Sequence, residues 1–459
     1  MTSIDSDPEP QSEHDEHIDP TVRGGLALWT LFLGFAMLMV GNGLNAAVLG
    51  VRTVDEGFGV RTTGLVMACY FAGFLLGPPA VLRMLSTVGH IRVFASLAST
   101  ASCAVLVHIV WISPLSWGAM RMVFGFCMAG LFVVVESWLN DASTPASRGR
   151  TLAVYGIVSM AGMATGQLLI ATGGTSGSTL FVVASILVSM SFVPMALAVT
   201  TDAPPVRVAE RLGLRELLGF APTGVIGMLL TGASHGIVLG LSAVYAAGVG
   251  FGTTRTAAFV AAPAIGALLL QWPIGWASDR VPRRGVIFVV SVAAAMIAVL
   301  LATVEADSVM VLPSMVLLGG FTFPLYSLLL SYTLDWARPG TAMGASGTLL
   351  RVNGAGAVIG PIVAGALMAS LDRSAMFWSL VATHGLIAFY VAYRMLVADG
   401  LPMDRQGAFV PVPARATELA IRLTARPLKA SRARLRPPAG TSRDVSGSDS
   451  TGFTSGRRS

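Results

Sequence analysis

Arg121 and Glu136 stand fifteen residues apart in a run that is otherwise almost wholly apolar, residues 115–139. On a helix that separation is roughly 22 Å, with a phase difference of about 60°, so the two charges lie near opposite ends and on much the same side. An ionised side chain is costly against lipid and normally faces a bundle interior or a water-filled cavity, where it marks a transport pathway. Arg121 could hold an anionic group or set the proton affinity of such a pathway, and Glu136 could take up and release a proton. Glu136 also has a plainer reading, as a carboxylate at the membrane rim beside Trp138, an aromatic of the kind that anchors helix ends. Arg121 lies deeper in the run.

A second cluster follows residues 256–277: Gly275-Trp-Ala-Ser-Asp279-Arg280-Val-Pro-Arg283-Arg284. A carboxylate at a helix end can cap the N-terminus of a neighbouring helix, and flanking arginines can pair with acids at other helix ends. Asp335, at the end of residues 309–335, is the expected partner, and the cluster then works as a gate. The alternative is that these arginines only set membrane orientation.

The elements that position these groups follow from composition. Of 459 residues, 54% are hydrophobic and 12% charged, and the apolar runs show no polar face at period 3.6 or 2, which excludes one large soluble core. Twelve membrane-spanning helices are expected, at 26–50, 62–84, 92–112, 115–139, 151–172, 178–200, 222–248, 256–277, 285–304, 309–335, 342–369 and 374–397, numbered spans 1 to 12. An even number puts both tails on one side. Eleven arginines fall at the even-numbered turns (83, 92, 148, 150, 207, 211, 215, 280, 283, 284 and 338) and four at the odd-numbered ones (52, 61, 255 and 373). The positive-inside rule therefore places both termini in the cytoplasm. Residues 1–20 are acidic and read as a disordered tail, 21–200 and 222–398 as two six-helix bundles, 201–221 as a cytoplasmic linker, and 399–459 as a basic, mostly disordered tail.

An internal repeat supports the division. Shifting the chain by 194 residues without a gap superposes Arg61 on Arg255, Pro79 on Pro273, Gly125 on Gly319, Asp141 on Asp335, Gly162 on Gly356 and Gly166 on Gly360. Apolar matches are cheap in such a composition, but matches at Arg, Pro and Asp are not. Two parallel six-helix repeats with the substrate site between them are the pattern of major-facilitator transporters.

Several motifs carry the same resemblance. The cluster at Gly275 resembles the cytoplasmic loop motif of that superfamily, G-x-L-x-D-R-x-G-R-R, with Pro282 at the second glycine and Leu85 where the first-half copy would place its aspartate. Arg121-x-x-x-Gly125 resembles its R-x-x-Q-G element, linked in relatives to proton-coupled transport, with Phe124 in place of the glutamine. The Gly-Pro of drug antiporters would stand in span 5, whereas here Gly360-Pro361 stands in span 11. Gly41-Asn-Gly-Leu-Asn45, Val135-Glu-Ser-Trp-Leu-Asn-Asp141, Gln271-Trp-Pro-Ile-Gly275 and Gly319-Gly-Phe-Thr-Phe-Pro324 resemble the uncharacterised bacterial YcaD-like branch over about residues 25–397.

The resemblance implies an all-α integral membrane fold of twelve helices in two pseudo-symmetric bundles, an inner-membrane location and secondary transport. It also implies that spans 1, 4, 7 and 10 line the cavity, which adds Asn42, Asn45, His235, Ser242, Tyr245, Tyr326, Ser331 and Tyr332 to the pathway candidates; His108 and His384 fall on peripheral spans. A helix-to-helix hydrogen bond explains a lone His or Asn equally well, and a neutral His can also pass a proton near neutral pH.

The function expected is transport of a small-molecule substrate through the bilayer by alternating access, proton-coupled, by a monomer. A sensor that keeps the transporter fold is the alternative, for which the tails look too short. No Walker-type G-x-x-x-x-G-K-[ST] stretch offers ATP as an energy source. Cys69, Cys103 and Cys127 show no metal-ligand spacing, and no nucleophile-base constellation suggests an enzyme, so no metal or cofactor is expected. The formal charge of +6 sits largely in cytoplasmic loops and the C-terminal tail, so no nucleic-acid partner is implied.

Overall fold

The computed structural model describes residues 20–144, 146–173, 177–198, 212–338, 340–409 and 411–412. The tail expected at 1–19, the linker residues 201–211 and the basic stretch from 413 onward lie outside the described residues. Twelve helices are long and apolar enough to cross a membrane. They are Leu28–Asp55, Val60–Val88, His90–Val110, Pro114–Asp141, Arg148–Thr172 and Thr179–Leu197 in the first half, spans 1 to 6. Pro222–Gly248, Thr253–Ser278, Arg283–Thr303, Val311–Trp336, Ala342–Ser370 and Ala375–Val397 form the second, spans 7 to 12. No strand occurs among the described residues. Large hydrophobic side chains such as Leu76, Trp272, Phe389 and Leu396 remain exposed, a surface that suits lipid and not water.

Each crossing reverses the chain, so both ends of the described chain lie on one face, the tail face. Span 10 is two helices, Val311–Thr322 and Pro324–Trp336. Pro324 has no N–H to continue the ladder, which breaks the helix at Phe323 and leaves carbonyls there for other donors.

The repeat reappears as packing. A Cβ at Gly125 would lie 2.0 Å from the Tyr70 carbonyl oxygen on span 2, and one at Gly319 would lie 2.1 Å from Pro263 Cα on span 8. Likewise Gly166 meets the Val40 oxygen on span 1 at 2.0 Å, and Gly360 meets the Ala233 oxygen on span 7 at 2.3 Å. Equivalent glycines thus close equivalent helix pairs in both halves, where small residues let backbones touch without any hydrophobic drive between helices.

The two halves meet toward the far face. Gly64 on span 2 packs on Pro361 and Gly365 of span 11, and Gly50 on span 1 packs on Ala243 of span 7. Ala164 of span 5 clusters with Ala261 and Ala264 of span 8. Nearer the tail face, spans 5 and 8 part around a cavity of about 420 Å³.

Part of the stretch after residue 398 is described: it makes a turn at Met403–Arg405 and lies against the protein, where Val412 is buried.

Candidate functional site

Glu136 sits five residues before the end of span 4, yet its side chain is completely buried. The Tyr155 hydroxyl on span 5 donates to its Oε1 at 2.7 Å. Phe35 of span 1 stacks on the Tyr155 ring at 4.8 Å and meets Phe132 edge-on at 5.7 Å, so aromatic rings wall the carboxylate off from water. Glu136 therefore lies inside the protein near the tail-face end of span 4. Trp138 is no surface anchor either; it is buried against His90 and Phe94.

Arg121 is also buried, in the far-face half of span 4. Its guanidinium lies over the Tyr70 ring of span 2 at 4.7 Å. The fold keeps Arg121 and Glu136 at opposite ends of span 4 and brings them to different neighbours. On span 1, Asn42 and Asn45 are buried with neither carboxamide hydrogen-bonded. Such groups are costly unless something polar reaches them, which makes them candidates for meeting a solute.

His235 donates from Nε2 to the Thr322 carbonyl at 3.3 Å and stacks on Phe323 at 4.9 Å. This is the break in span 10, where the Tyr326 N–H turns to the Phe323 oxygen and leaves Thr322 open. His384 joins the same junction: its Nε2 is 2.8 Å from Thr322 Oγ1 and its Nδ1 is 3.2 Å from Ser234 Oγ. Spans 7, 10 and 12 thus share one polar knot at mid-depth.

The cluster after span 8 comes together with Asp335, as expected, and takes further partners from the segment after span 12. Arg283 pairs with Asp335 at 2.5 Å, both nearly buried, and lies 3.9 Å from Asp279. Asp279 caps no neighbouring helix; its Oδ1 accepts the Phe409 N–H at 2.6 Å. Asp335 Oδ1 accepts the Gly407 N–H at 2.9 Å, and Arg283 donates to the Gly407 carbonyl. Gly275 provides the room for this segment, since a Cβ there would lie 2.5 Å from the Phe409 ring. Arg280 folds back over Trp276 at 3.9 Å and pairs with no other helix end. Tyr332, expected on the pathway, meets Arg284, which donates to its hydroxyl at 3.2 Å and to the Ala398 carbonyl at 2.7 Å. A guanidinium that bonds the end of span 12 and a phenol on span 10 at once ties three helix ends together.

No group of three or more metal-ligating side chains occurs among the described residues.

Comparison with known proteins places this geometry. Residues 31–352 and 224–439 match the model of the Major Facilitator Superfamily. The chain belongs to the Major Facilitator Superfamily. Its relatives include the uncharacterized MFS-type transporter YcaD of Escherichia fergusonii, 28% identical over 360 residues, 76% of this chain and 90% of that one. An uncharacterized MFS-type transporter of Yersinia enterocolitica is 27% identical over 326 residues, 68% of this chain and 81% of that one. Among solved structures, the nucleoside transporter NupG superposes with a TM-score of 0.70 at 14% identity, covering 81% of this chain and all of that one. An inward-facing bacterial homologue of the lysosomal transporter Spinster superposes with a TM-score of 0.66 at 16% identity, covering 82% of this chain and 97% of that one.

As a major-facilitator protein the chain is a membrane transporter, and its candidate groups lie in two places, the bundle interior and the tail-face ends of spans 8, 9 and 10. Tyr155 and His384 escaped sequence reasoning because an aromatic in an apolar run and a His on a peripheral span both read as packing. Only the 2.7 Å contact to Glu136 and the shared Thr322 reveal them.

Proposed function

We propose that the chain is a secondary active transporter of a small solute, driven by protons and working as a monomer by alternating access of its two halves. The observation that carries the coupling is the fully buried Glu136 carboxylate receiving the Tyr155 hydroxyl. Desolvation favours the neutral, protonated form of a carboxyl group, and access to water favours the charged form. A carboxylate whose surroundings alternate between the two binds a proton in one state and releases it in the other. The internal repeat places Leu330 opposite Glu136 but Asp335 opposite Asp141. Glu136 is thus a feature of one half, where Asp141 and Asp335 are shared architecture.

The same reading puts the protein in a bacterial plasma membrane with both tails in the cytoplasm. Arg283 and Arg284 are held in the gate, but without them the arginine count is still nine against four, which supports a cytoplasmic tail face. In that orientation the cavity between spans 5 and 8 lies on the cytoplasmic side. The test is uptake of a panel of solutes into proteoliposomes with and without an imposed pH gradient. At least one solute should accumulate only when the gradient is present; accumulation that ignores the gradient would contradict proton coupling.

A further inference from the structure

The segment after span 12 occupies the space through which the two halves must meet. Phe409 and Pro411 form part of the wall of the cavity whose other sides are Gly156 and Met160 of span 5 and Gln271 and Gly275 of span 8. The segment is anchored along its length by the gate residues themselves. Gly407 bonds Asp335 and Arg283, and the Phe409 N–H bonds Asp279. Deeper still, Ser327 Oγ donates to the Val412 carbonyl at 2.8 Å and accepts the Val412 N–H at 3.1 Å. Ser327 stands nine residues before Trp336, the tail-face end of span 10, so the chain reaches roughly 13 Å into the bundle.

From this the geometry points to a regulatory strap: residues 401–409 with Pro411 and Val412 are an autoinhibitory plug that holds the tail face open. Closing that face requires spans 5 and 8 to approach there as they already do at Ala164 and Ala261, and an interior packed near crystal density leaves no room for an extra chain between them. The strap must therefore leave before the halves can alternate. It also takes up the carboxylates of Asp279 and Asp335 and the guanidinium of Arg283, so the gate cannot engage the first half while the strap is seated. The strap breaks no regular element when it goes, because apart from the turn at Met403–Arg405 it has no helix of its own. What holds it is a set of individual hydrogen bonds, the partly buried side chain of Phe409 and the buried one of Val412, a linkage suited to release.

The inference rests on the alternating-access reading, and two measurements separate the two. The first is independent of alternation. In a chain with the three native cysteines replaced, Gly275→Cys with Phe409→Cys should oxidise to an internal disulfide, seen as loss of both maleimide-polyethylene-glycol adducts; two free thiols under oxidation would overturn the strap's seating. The second uses spin labels at Gly149 and Val281, the tail-face ends of spans 5 and 8, and at Arg61 and Thr253 on the far face. These distances are read in the full chain, in a chain ending at Asp399, and in a full chain carrying Phe409→Ser with Val412→Ser, which keeps the tail if truncation impairs folding. The expected result is a new tail-face population shorter by about 5 Å or more, the width of one extended chain, with a matching lengthening on the far face. Two populations already present in the full chain and unchanged by either variant would overturn the plug and leave alternating access standing. A single distance on both faces in every variant would overturn both.

Discussion

Asp335→Asn isolates one anchor of the strap. The substitution preserves shape, and the amide oxygen can still accept the Gly407 N–H, now at 2.9 Å, but without a charge. A hydrogen bond to an ionised group contributes a net of about 1.5–3 kcal/mol and a neutral one about 0.5–1.5 kcal/mol. The difference, about 1.4 kcal/mol, raises the equilibrium for strap opening roughly tenfold. Arg283 keeps its bond to the Gly407 carbonyl, so the strap is loosened and not expelled. Trypsin reads the opening. Arg405 is exposed, but a protease needs several residues on each side of the scissile bond in extended form, which requires Gly407 to leave the gate. Where opening and reclosing are fast, cleavage follows the population of the open form. Appearance of the fragment ending at Arg405, followed by mass spectrometry in nanodiscs, should quicken about tenfold. Asp307→Asn on the far face, whose partner Arg255 lies 3.5 Å away, should change nothing. A rate within twofold of the wild type for Asp335→Asn would refute the anchoring argument.

The remaining expectations concern packing and pH. Gly166→Val or Gly360→Val forces a side chain against a carbonyl oxygen at 2.0 or 2.3 Å and should abolish a monodisperse peak in size-exclusion chromatography. Gly285→Ala, with nothing within 4 Å of the added Cβ, should leave that peak intact. Tyr155→Phe removes the hydrogen bond that Tyr155 donates to Glu136 and should slow pH-driven accumulation while leaving solute exchange measurable; equal loss of both would assign Tyr155 to folding alone. Asp372, just before span 12, accepts the Ser374 N–H at 2.6 Å, and hydrogen bonding from the Ser374 side chain, together with that N–H, holds its carboxyl below the usual range. Its folded pKa is depressed, so its contribution is present above the ordinary aspartate pKa and lost as pH falls through the depressed value. Asp372→Asn should therefore lower the melting temperature at neutral pH, with the difference vanishing in acid.

How far the sequence reaches can be judged from particular residues. The spans were legible because apolar runs of membrane length admit few other structures, and the repeat was legible because Gly125, Gly166, Gly319 and Gly360 are fixed by backbone contact, which tolerates no substitution. The Arg283–Asp335 pair was legible as opposite charges at neighbouring span ends. The strap was not. Its contacts run through the backbone groups of Gly407, Phe409 and Val412, which every residue type possesses and no pattern advertises. The Tyr332 contact was hidden for a related reason: a tyrosine one turn from a span end can point toward the pathway or toward an arginine, and its bond to Arg284 appears only in the structure.

Glu136→Gln tests the central claim most directly. The amide keeps the size of the side chain and can accept the Tyr155 hydroxyl, but it cannot carry a proton. In proteoliposomes loaded with a solute the wild type transports, the variant should exchange solute across the membrane at a measurable rate yet fail to concentrate it when only a pH difference drives uptake. Concentration of the solute by the variant under that gradient would show that Glu136 is not the group that carries the proton.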